Sequence, residues 1–133
     1  MKKETYLRIS YWWGAIADML LGIEMITGAF LGSSSPFIGL GMTIEGGVEY
    51  RYAMSIAAIF MLTWTILLVW ADRKPLERKD ILLILVPIII GLRLSVLLGY
   101  NTGLLSIERV IFDTTLSLLY LLIILVSYSK ARS

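Results

Sequence analysis

Four predominantly apolar stretches, each about 20 residues long, follow one another along this chain, over about 9–31, 52–71, 81–98 and 104–128. A stretch of that length crosses the hydrocarbon of a bilayer as a helix. No water is present there to satisfy backbone N–H and C=O groups, so only helices and closed barrels can span. The stretches are too long and too uniformly apolar for the alternating strands of a barrel. The expected fold class is therefore all-α: a polytopic membrane protein built as a four-transmembrane-helix bundle, with residues 1–133 forming one domain. Composition agrees, since 58% of residues are hydrophobic and 17% charged, a balance unlike that of a soluble domain. The first stretch follows Lys2, Lys3 and Arg8 much as a signal peptide would. It is interrupted by Asp18 and Glu24 and followed by no small-residue cleavage site, so it reads as a retained helix.

Lysine and arginine in short loops orient such a protein. Lys2, Lys3 and Arg8 precede the first stretch, Arg73, Lys74, Arg78 and Lys79 lie in the connection over 72–80, and Lys130 and Arg132 end the chain. Both termini are therefore expected in the cytoplasm, with the protein a multi-pass component of the cell (inner or plasma) membrane. Tyr11, Trp12, Trp13, Trp70 and Tyr128 would mark the inner interface, and Tyr50, Tyr52 and Tyr100 the outer one. The outer connection, 32–49, is rich in Gly and Ser with an apolar centre from Phe37 to Ile44. It reads as a tether, or as a lid over an outward-facing pocket.

The chain contains no cysteine and no histidine. That removes disulfides, thiol redox chemistry, thiolate and imidazole metal sites, and every His-based catalytic triad. No metal site and no cofactor are expected. A formal net charge of +2 is too small to imply nucleic acid as a partner.

Against this background six ionisable side chains stand out in or at the edge of the apolar stretches: Asp18, Glu24, Arg93, Glu108, Arg109 and Asp113. An Asp, Lys or Arg at a helix centre costs roughly 2.5–3.5 kcal/mol on insertion scales, which makes such residues candidates for function. Depth can be estimated from the helical rise. Asp18 lies roughly 14 Å in from the inner end of the first helix, Glu24 roughly 9 Å further, and Arg93 roughly 18 Å up the third. Glu108 and Arg109 fall about one turn below the outer surface, and Asp113 near the middle. All six thus lie between the midplane and the outer face, above an almost uncharged inner half.

Helical spacing refines the placement. Tyr11, Gly14, Asp18, Gly22, Met25 and Ala29 share one stripe, whose small residues admit a close neighbour. The Gly14/Asp18/Gly22 face is thus a candidate contact for a second copy of the chain. Glu24 lies about 120° from Asp18, so the two acids do not form a tight dyad. Arg109 is expected to pair with Asp113, four residues away on the same helix, or with Glu108, and Thr114, Thr115 and Ser117 to bond back to the helix backbone. Arg93 has no acid on its own helix, and Glu24 is the expected partner by depth, with Glu108 and Asp113 next. Pro87 frees a backbone carbonyl below Arg93. Tyr120, on the Arg109–Asp113 stripe, is placed to close a pocket beneath the charges, and Trp64 with Thr63 and Thr65 either to line a cavity floor or to pack.

The segment from Met61 to Leu92, MLTWTILLVWADRKPLERKDILLILVPIIIGL, resembles one found in small uncharacterised four-helix prokaryotic membrane proteins, as does WWGAIADMLLGIEM in the first helix. The resemblance covers about half of the chain. It implies the four-helix plan and brings no activity to any residue. The plan is also similar to that of four-helix groups whose bundles hold hydrophobic ligands, though none of their signatures is present.

The functional expectation is a polar pocket in the outer half of the bundle that binds or processes a membrane lipid or another hydrophobic or small amphipathic molecule. Asp18 or Glu24 would handle a proton, and Arg93 and Arg109 would hold an anionic head group. Whether the chain is an enzyme stays open, and no catalytic residue is assigned. Two other classes remain: a proton-coupled transporter acting as a dimer, and a non-catalytic subunit in which the same charges fix helix register.

Overall fold

The computed structural model describes residues 2–31, 47–103 and 105–132. They form four α-helices, α1 (Lys3–Leu31), α2 (Val48–Asp72), α3 (Ile81–Asn101) and α4 (Ile107–Arg132). Each is long and apolar enough to cross a membrane. The helices outrun the apolar stretches at several ends: α1 begins at Lys3, α2 at Val48, and α4 runs on to Arg132. Hydropathy marks only what hydrocarbon can hold. Lysine, glutamate and arginine propagate a helix almost as well as leucine, so the backbone continues into the polar flanks.

Only α4 starts later than its apolar stretch, and the turn before it explains why. Gly103 adopts φ +73°, the left-handed conformation that ends many helices. The Thr102 N–H donates to Leu98 O and the Leu105 N–H to Gly99 O, both at 3.0 Å. Ser106 Oγ then accepts from the Arg109 N–H at 3.3 Å, as an N-cap does, and α4 begins at the next residue. The expected lid and its apolar centre over residues 37–44 lie outside the described residues.

The chain divides into two compact units, one comprising Met1–Trp13 with Ala71–Ser133, the other Gly14–Trp70. In the first, the start of α1, the 72–80 turn and the end of α4 gather at one place. Arg8 Nε lies 3.7 Å from Asp72 Oδ1, the Tyr128 hydroxyl donates to Asp80 Oδ1 at 3.1 Å, and Ser127 Oγ donates to Tyr6 O at 2.9 Å. The three segments that meet there carry nine of the twelve basic residues: three ahead of Ile9, four in the turn and two at the C-terminal end.

This end holds buried polar side chains. Ser10 and Ser127 are both buried, and Ser10 Oγ donates to Ser127 Oγ at 2.7 Å. Ser10 gives its proton to Ser127, which gives its own to Tyr6 O, so both hydroxyls are satisfied as buried polar groups require. Tyr11 is also fully buried and does not belong to the interfacial belt. Its hydroxyl donates to Arg78 O at 3.0 Å, with Pro75 O at 3.4 Å, and so ties α1 to the turn. Its neighbours Trp12 and Trp13 are exposed, as belt residues are.

The Arg78 carbonyl belongs to a peptide bond that trypsin can cut. Tyr11→Phe removes a hydrogen bond worth about 1 kcal/mol, which corresponds to roughly fivefold more frequent opening of the turn. Limited trypsin digestion of the purified protein should show that increase at the Arg78–Lys79 bond. An unchanged rate would mean that the hydroxyl does not hold the turn.

In the second unit α1 and α2 come close at Gly22. A Cβ built on Gly22 would lie 2.9 Å from Leu62 Cγ and Cδ2 and 3.4 Å from the Leu62 backbone nitrogen. The small-residue stripe is thus used within the chain, at least at Gly22. Thr65 Oγ1 donates to Met61 O at 3.1 Å, with Ala15 O at 3.4 Å on the facing helix. Arg51 binds the C-terminal carbonyls of α1, its Nε donating to Ala29 O at 2.6 Å and its Nη2 to Phe30 O at 2.8 Å. A cation on the last carbonyls of a helix satisfies groups without intrahelical partners and complements the helix dipole. Elsewhere the helices present large apolar side chains outward, among them Phe60, Leu94 and Leu118, as lipid-facing surfaces do.

Candidate functional site

The six ionisable residues are divided between the units. Asp18 and Glu24 lie on the part of α1 that belongs to the second unit, and Arg93, Glu108, Arg109 and Asp113 belong to the first. In the first, α3 and α4 pack against each other as the two arms of a hairpin. The Leu105 N–H to Gly99 O bond fixes their relative height. Arg93 is six residues below Gly99, roughly 9 Å down α3, while Arg109 and Asp113 lie roughly 6 and 12 Å beyond Leu105. Arg93 therefore sits at a level between the two.

Arg109 and Asp113 form the ion pair that their spacing predicts. Arg109 Nε donates to Asp113 Oδ2 at 3.0 Å, with both side chains about four-fifths buried. The Arg109 guanidinium carbon also lies 5.8 Å from the centre of the Phe112 ring, a cation–π distance. Thr115 and Ser117 bond back to Ile111 O and Asp113 O, at 2.8 and 2.7 Å, and so complete the helix around the pair. Glu108 is exposed in the first turn of α4, where a carboxylate complements the helix dipole.

Arg93 differs. Its Nε and Nη1 are buried and have no hydrogen-bond partner among the described residues. Guanidinium nitrogens are obligate donors that cannot be neutralised, so burying two without acceptors is expensive. Among the described residues the Asp113 carboxylate is paired with Arg109 and not with Arg93.

Tyr120 serves the hydroxyl cluster lower on α4. Its OH donates to Ser10 O at 3.1 Å, which ties α4 to α1 below the charges. In the second unit Glu24 is buried and Asp18 half-buried. Asp18 makes no hydrogen bond or ion pair among the described residues. Thr63 bonds back to Ile59 O at 2.8 Å, so its hydroxyl is taken by its own helix. Trp64 has its Nε1 buried with no acceptor among the described residues.

Sequence reasoning missed Ser10, Ser127 and Arg51. A serine on a buried stripe and a cation just inside a helix start were the available signals. Both are local, whereas the partners lie 117 residues away for Ser10 and 21 and 22 residues away for Arg51. Among the described residues no three acids gather closely enough to hold a metal ion. No family model, curated protein or solved structure matches this chain.

Proposed function

We propose that this multi-pass membrane protein holds an anionic, lipid-like or small amphipathic molecule, with Arg93 as its principal contact and Arg109, oriented by Asp113, beside it. The observation that carries this reading is the pair of buried Arg93 nitrogens without acceptors. A carboxylate or phosphate oxygen supplies what they lack, and the planar guanidinium is suited to take two such oxygens at once. The apolar flanks of α3 and α4 would accompany the tail of the same molecule.

The reading includes an orientation. The basic end, where both ends of the chain meet the 72–80 turn, faces the cytoplasm of a cell bounded by this membrane, as the positive-inside bias requires. The arginines then lie in the outer half of the bilayer, within reach of a molecule arriving from the outer leaflet.

The test is mass spectrometry of whatever co-purifies with the protein in mild detergent, for wild type, Arg93→Met and Arg93→Lys. An anionic amphiphile should accompany the wild type, fall at least about tenfold in Arg93→Met, and persist in part in Arg93→Lys, which keeps the charge but not the fork. If correctly folded wild type and Arg93→Met carry the same amphiphiles, Arg93 holds no such ligand.

A further inference from the structure

The end of the first unit where both chain ends meet the 72–80 turn carries charge that its own fold does not use. Nine basic residues gather there against four acids, Glu4, Asp72, Glu77 and Asp80. All belong to one compact unit, and three contacts hold the segments together: Arg8 with Asp72, Tyr128 with Asp80, and Ser127 with Tyr6. Three of the acids are already engaged, Asp72 by Arg8, Glu77 by Lys74 and Asp80 by the Tyr128 hydroxyl. The side chains of Lys2, Lys3, Arg73 and Lys79 make no hydrogen bond or ion pair among the described residues. Lys2, Lys3 and Arg73 are exposed, and so are Lys130 and Arg132 near the end of the chain. Orienting a protein in a membrane takes only an excess of cations in its short loops. It does not require that they be brought to one place, or left there without acids.

The level of these cations identifies their partner. Trp12 and Trp13 are exposed, as residues at head-group depth are, and Arg8 precedes Trp12 on α1 by one turn, roughly 6 Å. Leu76 is exposed in the 72–80 turn, with Arg73 and Lys74 before it and Arg78 and Lys79 after it. Pro75 beside it is buried, and the Tyr11 hydroxyl pins the turn to α1 through Arg78 O. The turn thus presents one large apolar side chain among four cations. A soluble polyanion or a free phosphate would leave that leucine in water. A phospholipid answers both features, its phosphate meeting the cations and its chains the leucine. Lysine and arginine suit such a boundary, because their stems lie along apolar surface while the charge stays at the head groups.

We propose that this end is a recognition surface for anionic phospholipids of the leaflet it adjoins. Lys2, Lys3, Arg73 and Lys79 hold the head-group phosphates, and Leu76 enters the acyl layer beside them. The inference rests on the chain spanning a membrane and is independent of any ligand at Arg93. Each basic residue close to an anionic membrane surface strengthens the association by about fivefold. Four cations without competing acids therefore select anionic lipids over zwitterionic ones around this end of the protein.

The experiment is tryptophan quenching by brominated lipids in bilayers of the reconstituted full-length protein. Trp64→Phe with Trp70→Phe leaves Trp12 and Trp13 as the reporters among the four tryptophans. Brominated phosphatidylglycerol and brominated phosphatidylcholine are compared at equal mole fraction in a phosphatidylcholine bilayer, and their quenching gives the relative affinity for this end. Phosphatidylglycerol should be preferred at least about fivefold at low salt, the effect of one basic residue or more. The preference should fall below about twofold at about 1 M salt, where the screening length is about 3 Å. The combined variant Lys2→Gln, Lys3→Gln, Arg73→Gln and Lys79→Gln should lose it likewise, while Arg93→Met retains it. Inorganic phosphate should reduce it no more than chloride does at equal ionic strength. Equal quenching by the two lipids, or a full preference in the combined variant, would overturn the surface. A preference lost in Arg93→Met, or erased by inorganic phosphate, would overturn it as well, assigning the selectivity to Arg93 or to a soluble anion. If the combined variant does not fold, the wild type decides alone, because a preference unchanged at high salt is not held by these cations.

Discussion

Arg109→Met is expected to destabilise the protein by about 3 kcal/mol, the low end of the range for breaking a buried ion pair. Its partner Asp113 is left as a carboxylate in the middle of an apolar helix, about one-fifth exposed, with its charge-assisted bond to Arg109 removed. The larger part of the loss is the stranded charge and not the attraction itself. The double variant Arg109→Met with Asp113→Leu should therefore be more stable than Arg109→Met alone, recovering about half of the loss or more. Equilibrium unfolding of the three proteins in mixed micelles measures both quantities. A double variant no more stable than the single one would show that Asp113 is solvated or has another cation, and that the pair does not orient Arg109.

Gly22→Ile should separate α1 from α2 at a cost of about 1–3 kcal/mol, the usual range for overpacking a tight contact. Leucine side chains can rotate away from a single added methyl, so Gly22→Ala is the mild member of the series. Isoleucine adds branches as well, and the Leu62 backbone nitrogen, 3.4 Å from the new Cβ, cannot rotate away. Gly91 is the natural control, because a Cβ there meets nothing within 4 Å. Gly91→Ile should leave the unfolding midpoint nearly unchanged, while Gly22→Ile lowers it clearly. Equal behaviour at the two positions would show that α1 and α2 do not pack at Gly22 as described.

Much of the architecture is legible in the chain because bilayer physics is severe. An apolar stretch of about 20 residues has one conformation available that satisfies its backbone, so four stretches become four helices without reference to packing. The Arg109–Asp113 pair is legible for a related reason, since residues four apart meet on any α-helix. The ends are less legible: α1 extends back to Lys3 and α2 to Val48, because helix propensity and hydropathy are different properties. Tyr11 illustrates a further limit. Its position beside Trp12 and Trp13 suits an interfacial belt and its spacing from Gly14 suits a buried stripe, and only the bond to the turn at Arg78 decides for burial.

The amino-acid sequence by itself determined the number of helices, the gathering of basic residues into three short segments, the small-residue stripe on α1 and the presence of six ionisable groups in apolar surroundings. Each follows from local composition or from a spacing of three or four residues. Only the tertiary structure decided which of those groups are satisfied. It pairs Arg109 with Asp113, gives the terminal carbonyls of α1 to Arg51, and joins Ser10 to Ser127 across 117 residues of chain. It leaves two nitrogens of Arg93, the carboxyl of Asp18 and the indole of Trp64 without protein partners among the described residues. The physical reason is that a hydrogen bond depends on where two elements meet in space. A group's need for a partner is written in its side chain, but the partner is chosen by packing.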